Sequence, residues 1–140
     1  MREGYEKFLI KEYYHWGVFL HDKVHYHLLG SVYVWAKREG DLDLLDMTAE
    51  EEQEFFEIAR DLKKSLKELF QPDRFNYTML ANVSHHLHIH IIPRYKSERT
   101  FDGISFVDKK WGQPFDNIPD TTVPETTLLK IRDAIKAKLA

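Results

Sequence analysis

The chain has 140 residues, 43% of them hydrophobic and 14% aromatic, enough for one domain around a single core. A net charge of −3 excludes a protein that grips nucleic acid through a basic surface, so any phosphate ligand has to be held by local groups. The absence of cysteine removes disulfides, thiolate metal sites and thiol nucleophiles, and leaves the eight histidines as the leading candidates for covalent chemistry or metal binding.

The amino terminus, MREGYEKFLIKEYYHWG, is charged throughout, and no apolar run approaches the roughly 18 residues of a membrane span. The expectation is a soluble, cytoplasmic protein with no membrane partner. Apolar runs from Phe8 to Ile10 and from Trp16 to Leu20 predict strands separated by KEYYH. HDKVHYHLLG predicts a turn ending at Gly30, after which SVYVWAK alternates like a half-buried strand. In DMTAEEEQEFF, Thr48 stands three residues before Glu51, a capping-box pattern, and acidic residues crowd the first turn, where the helix dipole favours them. Phe55, Ile58, Ala59, Leu62, Leu66 and Leu69 then form one apolar stripe that ends at FQPD, predicting a helix packed on a sheet.

RFNYTMLANV predicts the next strand, and ANVS the bend into a histidine-bearing strand over about residues 85–93 that Pro93 closes. These two are spaced like a hairpin. From Lys96 to Asp120 the pattern weakens to one short strand in an extended tail, yet Phe101, Phe106, Trp111 and Phe115 are too much aromatic surface to leave in water, so the tail should pack. VPETTLLKIRDAIKAKLA predicts a closing helix, with Pro124 at its first position and Leu128, Ile131, Ile135 and Leu139 on one face. The sum is a single α+β domain over residues 1–140, with a mostly antiparallel sheet, one long helix, and a tail and C-terminal helix over about 96–140.

The densest chemical signal is SHHLHIHIIPRY. His86, His88 and His90 alternate with Leu87, Ile89 and Ile91, so a strand here carries imidazoles on one face, about 7 Å apart in turn, and aliphatic side chains on the other. Taken singly, His15, His21 and His85 read as ordinary structural or exposed residues. Three in alternation support two chemistries: metal ligation, to which HYH at His25 to His27 would add nitrogens, or attack of one imidazole on phosphorus while the others orient it and bind phosphoryl oxygens.

HLHIHII resembles the signature of the histidine triad superfamily of nucleotide hydrolases and transferases. The order around it fits as well: FLHD, a Gly-containing turn into SVYVWAKRE, a capped helix near LLDMT, and an Asn-bearing strand before the triad, a likeness that runs from about Val18 to Tyr95. KRE, the HIIPRY ending and Trp111-Gly112 in the tail look most like a bacterial and archaeal branch often labelled diadenosine tetraphosphate hydrolase-like. The resemblance implies a HIT-like fold, a homodimer, a nucleotide substrate and no required metal or other cofactor. It makes His88 the nucleophile on the α-phosphorus, with His86 orienting it and His90 contacting the phosphoryl oxygens. By the same likeness Asn76 contacts phosphate, Asn82 and Ser84 bind phosphate or the leaving group, and Asp22 holds the ribose, though Asp22 and Ser84 read equally well as turn residues.

Two departures bear on substrate choice. Many members carry a fourth histidine just after the Gly of the turn, and here Ser31 follows Gly30, so that contact is missing or comes from Lys37, His25 or His27. The GQ often found before the triad is replaced by AN. A histidine-ligated metal protein and a nucleotide sensor without turnover are the alternative readings.

Overall fold

Five strands pair, every pair antiparallel, into one sheet ordered β1-β2-β3-β5-β4: β1 is Leu9–Glu12, β2 Trp16–Leu20, β3 Val32–Ala36, β4 Arg74–Thr78 and β5 His88–Arg94. The computed structural model describes residues 4–114, 119 and 122–140. Helix α1 (Ala49–Phe70) joins β3 to β4, a hairpin of β6 (Arg99–Phe101) and β7 (Ile104–Phe106) follows β5, and α2 (Glu125–Leu139) closes the chain. This is the expected α+β arrangement.

Helix α1 starts where the sequence places it. The Thr48 hydroxyl accepts from the Glu51 amide at 3.1 Å while the Glu51 carboxylate accepts from the Thr48 amide at 2.8 Å, which satisfies two of the amide donors that a helix start leaves open. Glu51 also receives two hydrogen bonds from Arg38, at 2.8 and 3.1 Å, so the start of α1 is clamped to the residues just beyond β3. The stripe Phe55, Ile58, Leu62 and Leu66 is buried, as are Leu128, Ile131, Ile135 and Leu139 of α2. Both stripes share one core with Trp16, Val18, Leu20, Val32, Val34, Leu87, Ile89 and Ile91 of the sheet.

That core fixes the orientation of the triad. A strand side chain alternates between faces, so a one-residue slip would exchange them. With Leu87, Ile89 and Ile91 at 0, 4 and 0% exposure on the helix side, His86, His88 and His90 face away from the helices.

Several boundaries differ from expectation. Phe8 ends a 3-10 turn, Tyr5–Phe8, that follows Gly4 in left-handed conformation, and β1 takes Lys11 and Glu12 from the segment read as a connection. Strand β4 stops at Thr78 and β5 starts only at His88, because residues 79–87 form a loop in which Ala81 has a φ of 54°. His86 therefore precedes its strand. Strand β5 also passes through Pro93 to Arg94; β4 lies beside it at the sheet edge. The tail holds two short strands in place of one, and Pro124 caps α2 instead of opening it. Phe106 reaches the core and Phe101 meets Phe70 edge-on at 5.8 Å, while Phe115 lies outside the described residues.

The end of β5 is pinned from two sides. Arg94 and Asp108 form an ion pair at 2.6 Å with both side chains 3% exposed, and Arg94 also donates to the carbonyls of Lys110 and Gln113. The Tyr95 hydroxyl donates to the Leu29 carbonyl at 2.6 Å, which fastens the turn before β3 to the sheet. Among the described residues no helix is long and apolar enough to cross a membrane.

Candidate functional site

Strand register assembles the histidine face in rows. Leu9, Phe19, Tyr33, His90 and Thr78 lie across the five strands in one row; Glu12, Gly17, Trp35 and His88 form the next. Aromatic rings thus occupy β2 and β3 where β5 presents imidazoles. Gly17 has a packing role: a Cβ there would come within 2.9 Å of the Phe19 ring, so its absence lets that ring lie back over β2.

Each triad histidine is held differently. The His86 ring lies on Trp35, centroids 4.1 Å apart and planes within 6°, and its Nε2–H donates to the Ala36 carbonyl at 2.6 Å. The His88 Nδ1–H donates to the His86 carbonyl at 2.6 Å. A carbonyl only accepts, so the hydrogen-bond pattern assigns the neutral tautomer of His88 with its lone pair on Nε2. His90 Nδ1 lies 2.9 Å from His21 Nε2, and the His88 and His90 rings meet edge-on at 4.9 Å.

Burial disfavours the charged forms of His88 and His90. It lowers the His88 pKa below the ordinary 6.5, against the opposing effect of the bond to the His86 carbonyl and with help from the nearby His86. His90 is pushed down to about 3, first by burial and then by His88 and His25. Near neutral pH both therefore offer lone pairs instead of positive charge.

Two hollows meet at the triad. A pocket of about 240 Å³ is lined by Val24, His25, Thr78, Asn82, Ser84, His88 and His90, among others. A larger groove of about 470 Å³ runs over Tyr5, Gly17, Phe19, Trp35, Lys37 and His86. Ser84 borders both.

The structure places Asn82 and Ser84 in one pocket with His88 and His90, and adds His25 to it. It does not bring Asn76 there. Asn76 pairs with Ile92 in the ladder, and its Oδ1 accepts from Arg94 Nη1 at 2.8 Å; the β4 residue opposite His90 is Thr78. Asp22 sits half-buried on the turn after β2 and lines neither hollow. Ser31 is 1% exposed and donates to the Leu28 carbonyl at 2.6 Å, so its hydroxyl stabilises the turn. Of the proposed substitutes for a fourth histidine, His25 reaches the pocket, Lys37 reaches the groove, and His27 borders neither. Trp111 and Gly112 lie outside both, with Lys96 Nζ 5.5 Å from the Trp111 ring centre.

Sequence reasoning passed over Thr78, Phe19 and Trp35, and it gave His21 an ordinary role. Parity held the signal: Thr78 stands two residues after Asn76, and His21 continues the face of Gly17 and Phe19, with its amide still donating to the Ser31 carbonyl at 3.0 Å.

A model of the HIT domain matches residues 32–97, from β3 to just past β5. In structure the chain is similar to a histidine triad protein from Bradyrhizobium japonicum, with a TM-score of 0.75 and 15% identity over 100% of this chain and 97% of that one. A histidine triad protein from Sinorhizobium meliloti gives a TM-score of 0.75 at 16% identity over 99% and 95% of the two chains. A hypothetical histidine triad nucleotide-binding protein from Sulfolobus tokodaii gives 0.67 at 14% identity over 94% and 83%. No curated protein matches by sequence. The chain thus has the fold of the histidine triad proteins, with a HIT domain matched over residues 32–97.

Proposed function

We propose that this chain, a single HIT-like domain over residues 1–140, is a nucleotide hydrolase or transferase that works at the α-phosphate of a nucleotide through a nucleotidyl-histidine intermediate. The observation that carries the reading is the His88 Nδ1–H bond to the His86 carbonyl, which assigns the Nε2 lone pair on a buried, neutral ring beside a pocket of phosphate size.

In this reading His88 Nε2 attacks the α-phosphorus. A P–N bond forms as the bond to the leaving group breaks, and the leaving group departs with the electron pair and takes a proton from solvent. Water or another acceptor then attacks phosphorus and gives up its proton to solvent, and the P–N electron pair returns to Nε2. His86 orients His88 through its carbonyl, while its own ring is fixed between Trp35 and the Ala36 carbonyl. If His21 Nε2–H donates to His90 Nδ1, the His90 proton sits on Nε2, ready for a phosphoryl oxygen. Thr78, Asn82 and Ser84 supply further polar contacts from the pocket wall, and the groove over Phe19 and Trp35 offers an aromatic bed for a nucleobase. The motif likeness suggests a dinucleoside polyphosphate or a nucleoside phosphoramidate as substrate.

The same likeness suggests a homodimer. Its support here is that β4 is a sheet edge beside an apolar hollow of about 420 Å³ whose Phe56 and Tyr77 are 45 and 52% exposed.

The test is an acid-avoiding quench after mixing with a radiolabelled adenine nucleotide of either class, followed by peptide mapping, since a P–N bond survives base and is lost in acid. Label on His88 is expected; His88→Ala should abolish it and cut turnover by orders of magnitude, whereas a His90 substitution should slow turnover and still allow labelling. Robust hydrolysis by His88→Ala would overturn the mechanism. Nucleotide binding with no turnover across the substrate panel would make the protein a sensor.

A further inference from the structure

The histidine face holds a second grouping that the strand motif alone does not contain. His21 just past the end of β2, His25 in the turn that follows, and His90 of β5 each offer a ring nitrogen, and these three atoms lie within 4.8 Å of one another. His21 and His25 are each 4% exposed. Their rings are at 4.9 Å and perpendicular, and His25 lies 5.5 Å from the His90 ring.

From this geometry we infer that His21, His25 and His90 form a binding site for a borderline divalent metal ion of the zinc class. Neutral imidazole is the commonest protein ligand for such ions, and a three-nitrogen set with one open position is a typical arrangement for a metal that also meets an exogenous ligand. Zinc sits about 2.0–2.1 Å from imidazole nitrogen, so ligands around a tetrahedral ion stand about 3.4 Å apart. His21 Nε2 and His90 Nδ1 are 2.9 Å apart, joined by one proton, and the ion replaces that proton if the pair opens by a few tenths of an ångström and the most distant of the three nitrogens, within 4.8 Å, draws in. The proton moves to the far nitrogen of its own ring, so no other reactant is needed.

Two features separate this site from incidental clustering. His25 has a φ of 58°, a left-handed conformation that residues with a Cβ adopt at a cost, and it buries its ring against the other two instead of exposing it. The cluster also borders the 240 Å³ pocket, which His25 and His90 both line, so an exogenous ligand in that hollow lies beside two of the three imidazoles. The alternating trio of the sequence makes a poorer cage, because His86 Nε2 and His88 Nδ1 are both committed to backbone carbonyls.

One consequence rests on the function proposed above. A metal on His90 Nδ1 fixes its remaining proton on Nε2 and adds two positive charges beside the pocket, which favours a bound phosphoryl group. The site itself does not depend on that function.

The test uses full-length chain without an affinity tag and no nucleotide. Titration with Zn²⁺ by calorimetry should give one ion per chain. Co²⁺ should give the visible bands of a low-coordinate ion, and X-ray absorption of the zinc-loaded wild type should show an imidazole-nitrogen shell. His21→Asn and His25→Asn, each checked for folding by circular dichroism, should weaken binding by about 100-fold or more, since even outer-shell changes cost 10–100-fold. His85→Ala, on an exposed loop, should bind as wild type. Absence of stoichiometric binding by the wild type, an oxygen-dominated shell, or unchanged affinity in folded His21→Asn and His25→Asn proteins would each overturn the inference. Because every arm is read without nucleotide, an inactive protein that binds zinc here would sink the catalytic reading alone.

Discussion

Replacing Glu51 by Gln tests the clamp that sets the end of β3, and with it the Ala36 carbonyl that orients His86. Glu51 is 2% exposed, accepts from the Thr48 amide and is gripped by Arg38. The Arg38 hydrogen bond is the main reason its carboxyl titrates at about 2 instead of the ordinary 4.5. At about 1.4 kcal/mol per pH unit the displacement corresponds to about 3 kcal/mol. The Arg38 side chain is 40% exposed and solvent screens the pair, so the loss expected at neutral pH is about 1–2 kcal/mol. Glutamine keeps the shape and can still accept from Thr48, so the change removes charge more than capping. The folded carboxyl titrates below the unfolded one, so its stabilisation is fully present above pH 4.5 and is lost as pH falls through about 2. Urea unfolding of both proteins should therefore show a gap that is constant from pH 7 to about 5 and narrows towards pH 3. His88 and His90, neutral when folded, weaken both proteins equally below pH 6.5 and cancel in the difference. A gap that does not change between pH 7 and 3, or no gap at pH 7, would refute the argument.

Thr78→Val should lower kcat/KM on the active substrate by about tenfold, the worth of one hydrogen bond, whereas Asn76→Ala should leave it within about twofold and lower the unfolding midpoint; the reverse pattern would return Asn76 to the phosphate site. The acid limb of kcat/KM should lie below pH 6.5, because burial holds the His88 pKa down and the ring stays nucleophilic there; a limb centred above 6.5 in a pH–rate profile would contradict this. Gly30→Ala should cost at least about 1–3 kcal/mol in denaturant unfolding, because its φ is 83° and a Cβ would meet Phe70 at 2.9 Å and Leu66 at 3.0 Å. Arg94→Met should cost about 3–5 kcal/mol, read in the same way, since it strands the buried Asp108 carboxylate.

What the sequence determined by itself is local and periodic. The Thr48–Glu51 cap, the stripe of α1 and the alternation around His88 each depend on residues a few positions apart, and period decides which side chains share a face. Tertiary structure decided what stands opposite each of those faces. Asn76 and Thr78 have the same parity, and only the register of β4 against β5 puts Thr78 beside His90 and leaves Asn76 to Arg94. Strand ends shifted where a left-handed residue or a loop bond outweighed propensity, as at Ala81. His21 looked ordinary taken alone, because its meaning lies in nitrogen atoms drawn from the residue after β2, a turn and β5 that approach only when the sheet closes. Sixty-nine residues separate His21 from His90, and no pattern within a single element encodes a contact of that span.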